Sequence, residues 1–508
     1  MSNESNVKSY DKKKKALPFI VIGVVAVVAI IIFAVILSNA FEKDTEELNL
    51  FHEDLVCFYD GEWGYANKKG KSVIKSKFAK AYAFADNGLA LVSKDGQNWG
   101  YINKRGDFVI KDKYIAGTGF YPNGLAVVMN EDGDVGAINK KGETVISFKY
   151  SSIGVFNEEG LAVVGKYSEK EGRDLYGVID SQGELVFPIK YEDIKLPGKS
   201  GATVAKDDGV WGVLSKKGEW TVKPRYDSAT EFDTNNLSIV SNKEGEFGVI
   251  NTKGKIIVKL EYDEIRSFSE TDRLAFFRVD NEWGIINTKG KVVVKADFDK
   301  VICDYADGIA IVEDSGDYFA LDKKGETIFE FEDCKPVEGY HNGLILVQET
   351  RAESAKNDKK PLKYGFLDTE GKVVIDFDYY DASGFYFGDY ACVSDKSDYY
   401  GFIDKSGKDV IDYDYDEGGF FFSDGYAVVY EEGENNELVC VILNKNGKVV
   451  FDKCEEVSYD VGYKIISAGL VELPDFDIDG DGEENTDQTV DEDQSADEEE
   501  NLEEEAQG

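Results

Sequence analysis

Histidine is almost missing from this 508-residue chain, which holds only His52 and His341. That removes the commonest general base and the commonest zinc ligand. No G-x-S-x-G, H-E-x-x-H or phosphate-cradling loop occurs either. His341 stands in a turn signal before Asn342-Gly343-Leu344, where a solvent-facing residue is expected. Positive charge is also short: 58 Lys and Arg against 99 Asp and Glu give a net charge of -41. Such a chain repels phosphate backbones and anionic lipid surfaces, so nucleic acid is excluded as a partner. The six cysteines include no C-x-x-C pair. They read as small buried hydrophobes, with a disulfide open to an extracellular chain but no framework set by spacing.

Long apolar runs are limited to one. Leu17 to Leu37 carries no charge over 21 residues. At about 1.5 Å per residue it crosses a bilayer core of roughly 30 Å. Lys12 to Lys15 precede it, and Glu42, Asp44, Glu46 and Glu47 come after it. The positive-inside rule leaves residues 1–16 cytoplasmic and places the linker 38–50 and the chain beyond it outside. A cleaved signal peptide is the competing reading, with Ser38 and Ala40 as its small residues, but its apolar core would ordinarily be shorter.

What the chain has in abundance is repetition. WGYANKKG at Trp63–Gly70 returns as WGYINKRG, VGAINKKG, YGVIDSQG, WGVLSKKG, FGVINTKG, WGIINTKG, YFALDKKG, YGFLDTEG, YGFIDKSG and CVILNKNG. The copies usually stand 35 or 36 residues apart, a period that signals a repeat architecture. In residues 84–120, short apolar runs at Leu89–Val92, Trp99–Asn103 and Phe108–Ile110 alternate with Gly-bearing polar turns. A weaker fourth strand is expected before Phe120. No helical period extends over ten residues, so the unit is all-β.

The second turn of each unit has a legible chemistry. Three residues before its Gly stands Asn67, Asn103, Asn139, Asp180, Ser215, Asn251, Asn287, Asp322, Asp368, Asp404 or Asn444. A type I turn favours such a side chain first and Gly fourth, and the Gly then takes the left-handed conformation. Eight residues past the Gly an aromatic usually occurs, as at Phe78, Tyr114 and Tyr226. With the Trp or Tyr that opens the motif, these rings supply the core between units. The Gly after the Trp marks a bulge or a close backbone approach.

The pattern F-x-(D/N)-G-L-A-x-V, then W-G-x-I-(N/D)-x-x-G, V-I and (Y/F)-D, resembles the WG-repeat family of bacterial surface and secreted proteins. The resemblance implies an all-β module without an assigned catalytic activity, and it brings no functional residues with it. Val135, Tyr318-Phe319 and Cys440-Val441 depart from the Trp-Gly pattern.

The expected architecture over residues 51–473 is one or more propeller-like rings built from three- to four-stranded units, with an open β-solenoid as the alternative. Gly469-Leu470-Val471 reads as a spare strand that closes a ring or protects an edge. The longest insertion, Glu349–Leu362, reads as a boundary or a protruding loop.

Two acidic features remain. Asp376/Asp378 and Asp412/Asp414/Asp416 are the carboxylate pairs a glycosidase would need, though their alternation with aromatics suits one solvated strand face. Between Pro474 and Gly508 lie 17 acidic residues and no basic one, which predicts a disordered tail. Within it, Asp477, Asp479, Asp481, Glu483 and Asn485 fit the alternating oxygen pattern of a calcium loop, with Gly482 for its sharp turn. Gln488 stands where the bidentate Glu would be. These observations lead to one expectation. The chain is a single-pass membrane protein anchored by residues 17–37. Its extracellular WG repeats form a non-enzymatic scaffold for a protein or glycan, with Ca²⁺ as a candidate ion in the tail. A wall-polymer hydrolase and a structural spacer are the alternatives.

Overall fold

The computed structural model describes residues 48–350, 361–395, 399–433, 438–460 and 466–467. The expected membrane span 17–37, the spare strand 469–471, the tail 474–508 and the calcium-loop residues Asp477, Asp479, Asp481, Glu483 and Asn485 lie outside them. Among the described residues there is no helix, and hence none long and apolar enough to cross a membrane.

The described strands form eleven sheets, nearly all four-stranded antiparallel meanders, arranged as the blades of one propeller-like ring. In the second blade the order is Lys80–Ala81, Leu89–Ser93, Trp99–Asn103, Phe108–Tyr114. The weak fourth strand expected before Phe120 does exist, at Ala116–Gly117. It pairs with Leu125–Met129, so it begins the third blade and does not finish the second. Each blade's first strand is thus supplied by the segment just past the preceding unit's aromatic.

Local chemistry sets the shape of the blade. Asn103 accepts the N–H groups of Arg105 and Asp107 on its side-chain oxygen, at 2.9 and 3.2 Å. Gly106 N–H donates to the Asn103 carbonyl at 2.8 Å, and Gly106 takes φ +80°. This is the predicted type I turn with its left-handed glycine. Gly100 fulfils both readings of the Trp-Gly glycine. Trp99 faces Tyr114 but Tyr101 faces Ile110, so the outer strand bulges opposite Gly100. A Cβ there would stand 2.6 Å from the Asp112 nitrogen and the Ile110 carbonyl oxygen.

Blades join through apolar packing. Ile74 and Phe78 of the first blade share a core with Val92 and Ile102 of the second. Each such side chain contributes about 1.5–3 kcal/mol on full burial. Tyr101 also donates its hydroxyl to the Thr118 carbonyl of the next blade at 2.7 Å. The motif aromatics are therefore core, as their fixed register predicts: Trp99 and Tyr114 are each 4% exposed.

The ring closes. The first blade is Leu55–Tyr59, Trp63–Asn67 and Ser72–Phe78, completed by Glu456–Ser458 from the far end. Phe58 pairs with Val457, and Val56, Phe58 and Ala66 pack with Val428, Ile442 and Phe451 of the last blade. Of the readings the sequence held open, a single propeller-like ring is the one the described residues form; two rings and the open solenoid are not. The closing strand comes from 456–458, ahead of the spare strand expected at 469–471. The insertion after Glu349 separates no domains. Leu344–Glu349 and Tyr364–Leu367, on either side of it, are paired neighbours in one blade.

Candidate binding surface

After the first strand of a typical blade the chain makes a tight turn. In the second blade, Gly88 N–H donates to the Ala85 carbonyl and Leu89 N–H to the Asn87 side chain. Just before this turn a phenylalanine is buried, as at Phe84, Phe120 and Phe156. The tenth and eleventh blades keep that anchor as Phe385 and Phe421 but add aromatics around it. Tyr386 and Phe387 come after the first, and Phe420 and Phe422 flank the second.

The extra rings touch in sequence. His341 of the ninth blade packs edge-on against Tyr386 with centroids 5.0 Å apart. Tyr386 meets Phe387 at 6.2 Å, and Phe387 meets Phe420 at 5.3 Å. Phe420 reaches Tyr459 at 6.5 Å, beside the strand that closes the ring. His341, Tyr386, Phe387, Phe420 and Tyr459 are all half-buried, so the strip keeps part of its surface in water. His341 is correspondingly not the solvent-facing turn residue the sequence suggested. It ends the strand Cys334–His341, whose register breaks between Pro336 and Tyr340, and burial lowers its pKa.

A carboxyl group sits at the ninth-blade end of the strip. Tyr386 donates its hydroxyl to Glu338 Oε2, while Oε1 is buried without a hydrogen-bond partner among the described residues. Burial raises the Glu338 pKa to about 7 and outweighs the opposing hydrogen bond. The Tyr386 hydroxyl is pushed up by burial and by the neighbouring carboxylate, so it remains a donor. The arrangement offers flat apolar rings with a hydroxyl, an imidazole and a neutralisable carboxyl beside them. Such groups suit a ligand with both apolar faces and hydrogen-bonding edges.

The other sequence candidates are not brought here. Asp412 and Asp414 project from the outer strand Asp409–Tyr415, and Asp376 and Asp378 from the outer strand Val373–Tyr379, all four exposed. Asp378 pairs with Lys363 at 3.6 Å, and Asp416 accepts the Glu432 N–H at 2.8 Å. This is the solvated strand face their alternation suggested. A shallow depression of about 480 Å³ elsewhere is lined by Arg173, Tyr176, Glu192, Asp193 and Lys206. Its main charges are already matched, since Arg173 binds Glu192 at 2.8 Å and holds that carboxyl below its usual range.

Sequence reasoning misses the strip because Glu338, Tyr386, Phe387, Phe420 and Tyr459 fall between motif copies. A signal is present at Tyr386, Phe387, Phe420 and Phe422, which are aromatic where the second blade carries Ala85, Asp86, Ala83 and Ala85 around its buried Phe84.

A family profile described as "WG containing repeat" matches residues 63–97, 99–133, 136–167, 176–210, 211–245, 247–283, 283–318, 364–397 and 400–434. The chain belongs to the WG-repeat family. The matched stretches cover more than half of it. They leave out the units opening at Tyr318-Phe319 and Cys440-Val441, the WG copies that lost both motif residues. No curated relative matches. Among solved structures, a eukaryotic initiation factor is similar over 81% of this chain and 97% of its own, at 9% identity and TM-score 0.38. BamB from Moraxella catarrhalis is similar over 66% and 96%, at 12% identity and TM-score 0.27. At these scores neither likeness bears on function.

Proposed function

We propose that this WG-repeat ring is a non-enzymatic, extracellular binding scaffold that holds its ligand along the aromatic strip from His341 to Tyr459. The single observation behind this reading is the strip itself. Half-buried rings touch one another across three blades, at positions beside the buried phenylalanine where the second blade carries Ala83, Ala85 and Asp86. Rings needed only for the core would be covered like Phe385, which is 1% exposed. The ligand class that fits is a glycan or a peptide carrying apolar faces. In this reading residues 17–37 anchor the ring to the membrane with residues 1–16 inside, and the acidic tail is a candidate calcium segment.

The test is an array of glycans and peptides probed with the detergent-solubilised full-length chain, then repeated with Phe387→Ala and Phe420→Ala. Loss of at least tenfold in affinity with an unchanged melting profile is the expected outcome. Undiminished binding by both variants places the ligand elsewhere on the ring. Turnover of an arrayed polymer would overturn the non-enzymatic reading and favour a hydrolase.

A further inference from the structure

The last blade departs from the others at one pair of facing positions. In most other blades the residue that opens the motif lies opposite the aromatic of the outer strand. Trp63 faces Phe78, Trp99 faces Tyr114, Trp211 faces Tyr226 and Tyr400 faces Tyr415. In the last blade both members of this pair are cysteine, and Cys440 faces Cys454. The bulge in that outer strand is one residue shorter, which keeps the two in register. No other described cysteine has a cysteine opposite: Cys57 faces Tyr65 and Ser458, Cys303 faces Ile311, Cys334 faces Glu349 and Cys392 faces Phe402.

The local geometry suits a covalent link. Directly opposed residues of an antiparallel pair have Cα atoms about 4.5–5.5 Å apart, within the range of about 4.4–6.8 Å that a disulfide spans. Cys454 Sγ stands 3.2 Å from the Cys440 carbonyl oxygen, so its side chain already lies across the partner strand. The neighbouring Cys440 thiol is the largest cause raising the Cys454 pKa, with burial second. Cys440 is fully buried and Cys454 nearly so.

We infer that Cys440 and Cys454 are a modification site, oxidised to a cross-strand disulfide that fastens the seam of the ring. The link occupies the place where other blades set two aromatic residues opposite each other on the same two strands. It also lies directly before the closing segment. Glu455 N–H donates to the Tyr59 carbonyl at 2.9 Å, and Glu456–Ser458 then completes the first blade. The oxidant is an external disulfide such as oxidised glutathione, and the reaction takes place while the blade folds and its sulfurs are still reachable. The Cys440 thiolate attacks one sulfur of that disulfide and expels one thiolate. The Cys454 thiolate then attacks the Cys440 sulfur of the mixed disulfide and expels the second. The two cysteines lose two protons and two electrons, and the external disulfide is reduced to two thiols. Once packed, the bond is shielded from reductants too large to enter the blade.

The test is to fold the full-length chain in a buffer of oxidised and reduced glutathione, then alkylate it in denaturant and digest it. Expected are an intact mass, taken before alkylation, lower than that of the reduced chain by about 2 Da, from the two hydrogens lost, and one peptide pair joining Cys440 to Cys454. The other four cysteines should be fully alkylated. In Cys440→Ser the cross-link disappears and Cys454 becomes alkylated. Reduction should lower the melting temperature of the native chain but leave Cys440→Ser unmoved. Alkylation of all six cysteines after folding under oxidising conditions overturns the assignment. So does a cross-link that joins any other pair.

Discussion

Gly70, in the second turn of the first blade, abuts Val450 in the outer strand of the last. Gly70 has φ +71°, and a Cβ placed on it would collide with the Val450 carbonyl oxygen. The equivalent glycine also meets the preceding blade at other joints: Gly290 faces the Ile257 carbonyl oxygen, while Gly106, Gly142 and Gly447 face the side chains of Ile74, Ile110 and Ile411. The seam is thus a close glycine joint like that of Gly290 and Ile257, although most of the chain separates its two sides.

Substitution at Gly70 should therefore cost more than backbone strain alone. Gly88 has a similar φ of +78° but open space where its Cβ would stand. We expect Gly88→Ala to cost about 1 kcal/mol, the strain of a left-handed alanine. Gly70→Ala should cost roughly 2–4 kcal/mol because the seam must also move. Thermal melts of the two variants check this, with Gly70→Ala melting several degrees below Gly88→Ala.

The turn side chains carry a smaller, separable contribution. Asn103→Ala removes the acceptor for two backbone N–H groups and should lower stability by about 1 kcal/mol. Asn103→Asp keeps the acceptor, as Asp322 does in its own turn, and should be near neutral. Urea denaturation of both variants decides it.

These turns are legible in the sequence because each is a local event: a side chain accepts from its own backbone, and a nearby glycine takes positive φ. The strands are legible for the same reason. Closure is not, because Phe58 and Val457 meet only through the summed rotation of all the intervening blades, which no local pattern encodes. The fourth strand falls on the other side of its unit from the one expected, since two residues such as Ala116 and Gly117 carry no periodicity. The aromatic strip escapes for a different reason. Phe387 and Phe420 are far from the motif register and become neighbours only when the tenth and eleventh blades are placed side by side.

Glu338 gives stability a pH dependence of unusual sign. Its pKa is raised from 4.5 to about 7 in the fold, so between those values the folded chain holds a proton that the unfolded chain has released. Stability from this group is fully present below about pH 4.5 and falls as pH rises to about 7, by roughly 2–3 kcal/mol. The histidines act oppositely. His52 and His341 are lowered by burial, so they lose stability as pH drops below their unfolded pKa of 6.5. Glu338→Gln removes only the first slope. The difference in unfolding free energy between Glu338→Gln and the native chain should grow in favour of the variant between pH 4.5 and about 7. A flat difference would show that the carboxyl ionises normally.

The central claim is a single closed ring of eleven blades, and one distance comparison tests it. Lys69, Arg105 and Asn446 are exposed at the same position of the second turn in the first, second and last blades. Spectroscopic labels on Lys69 and Arg105 report the spacing of two blades adjacent in sequence. Labels on Lys69 and Asn446 report the spacing across the seam, measured by pulsed electron–electron double resonance. A closed ring predicts closely similar distances for the two pairs. A Lys69–Asn446 distance several times the Lys69–Arg105 distance would show an open array and contradict the account.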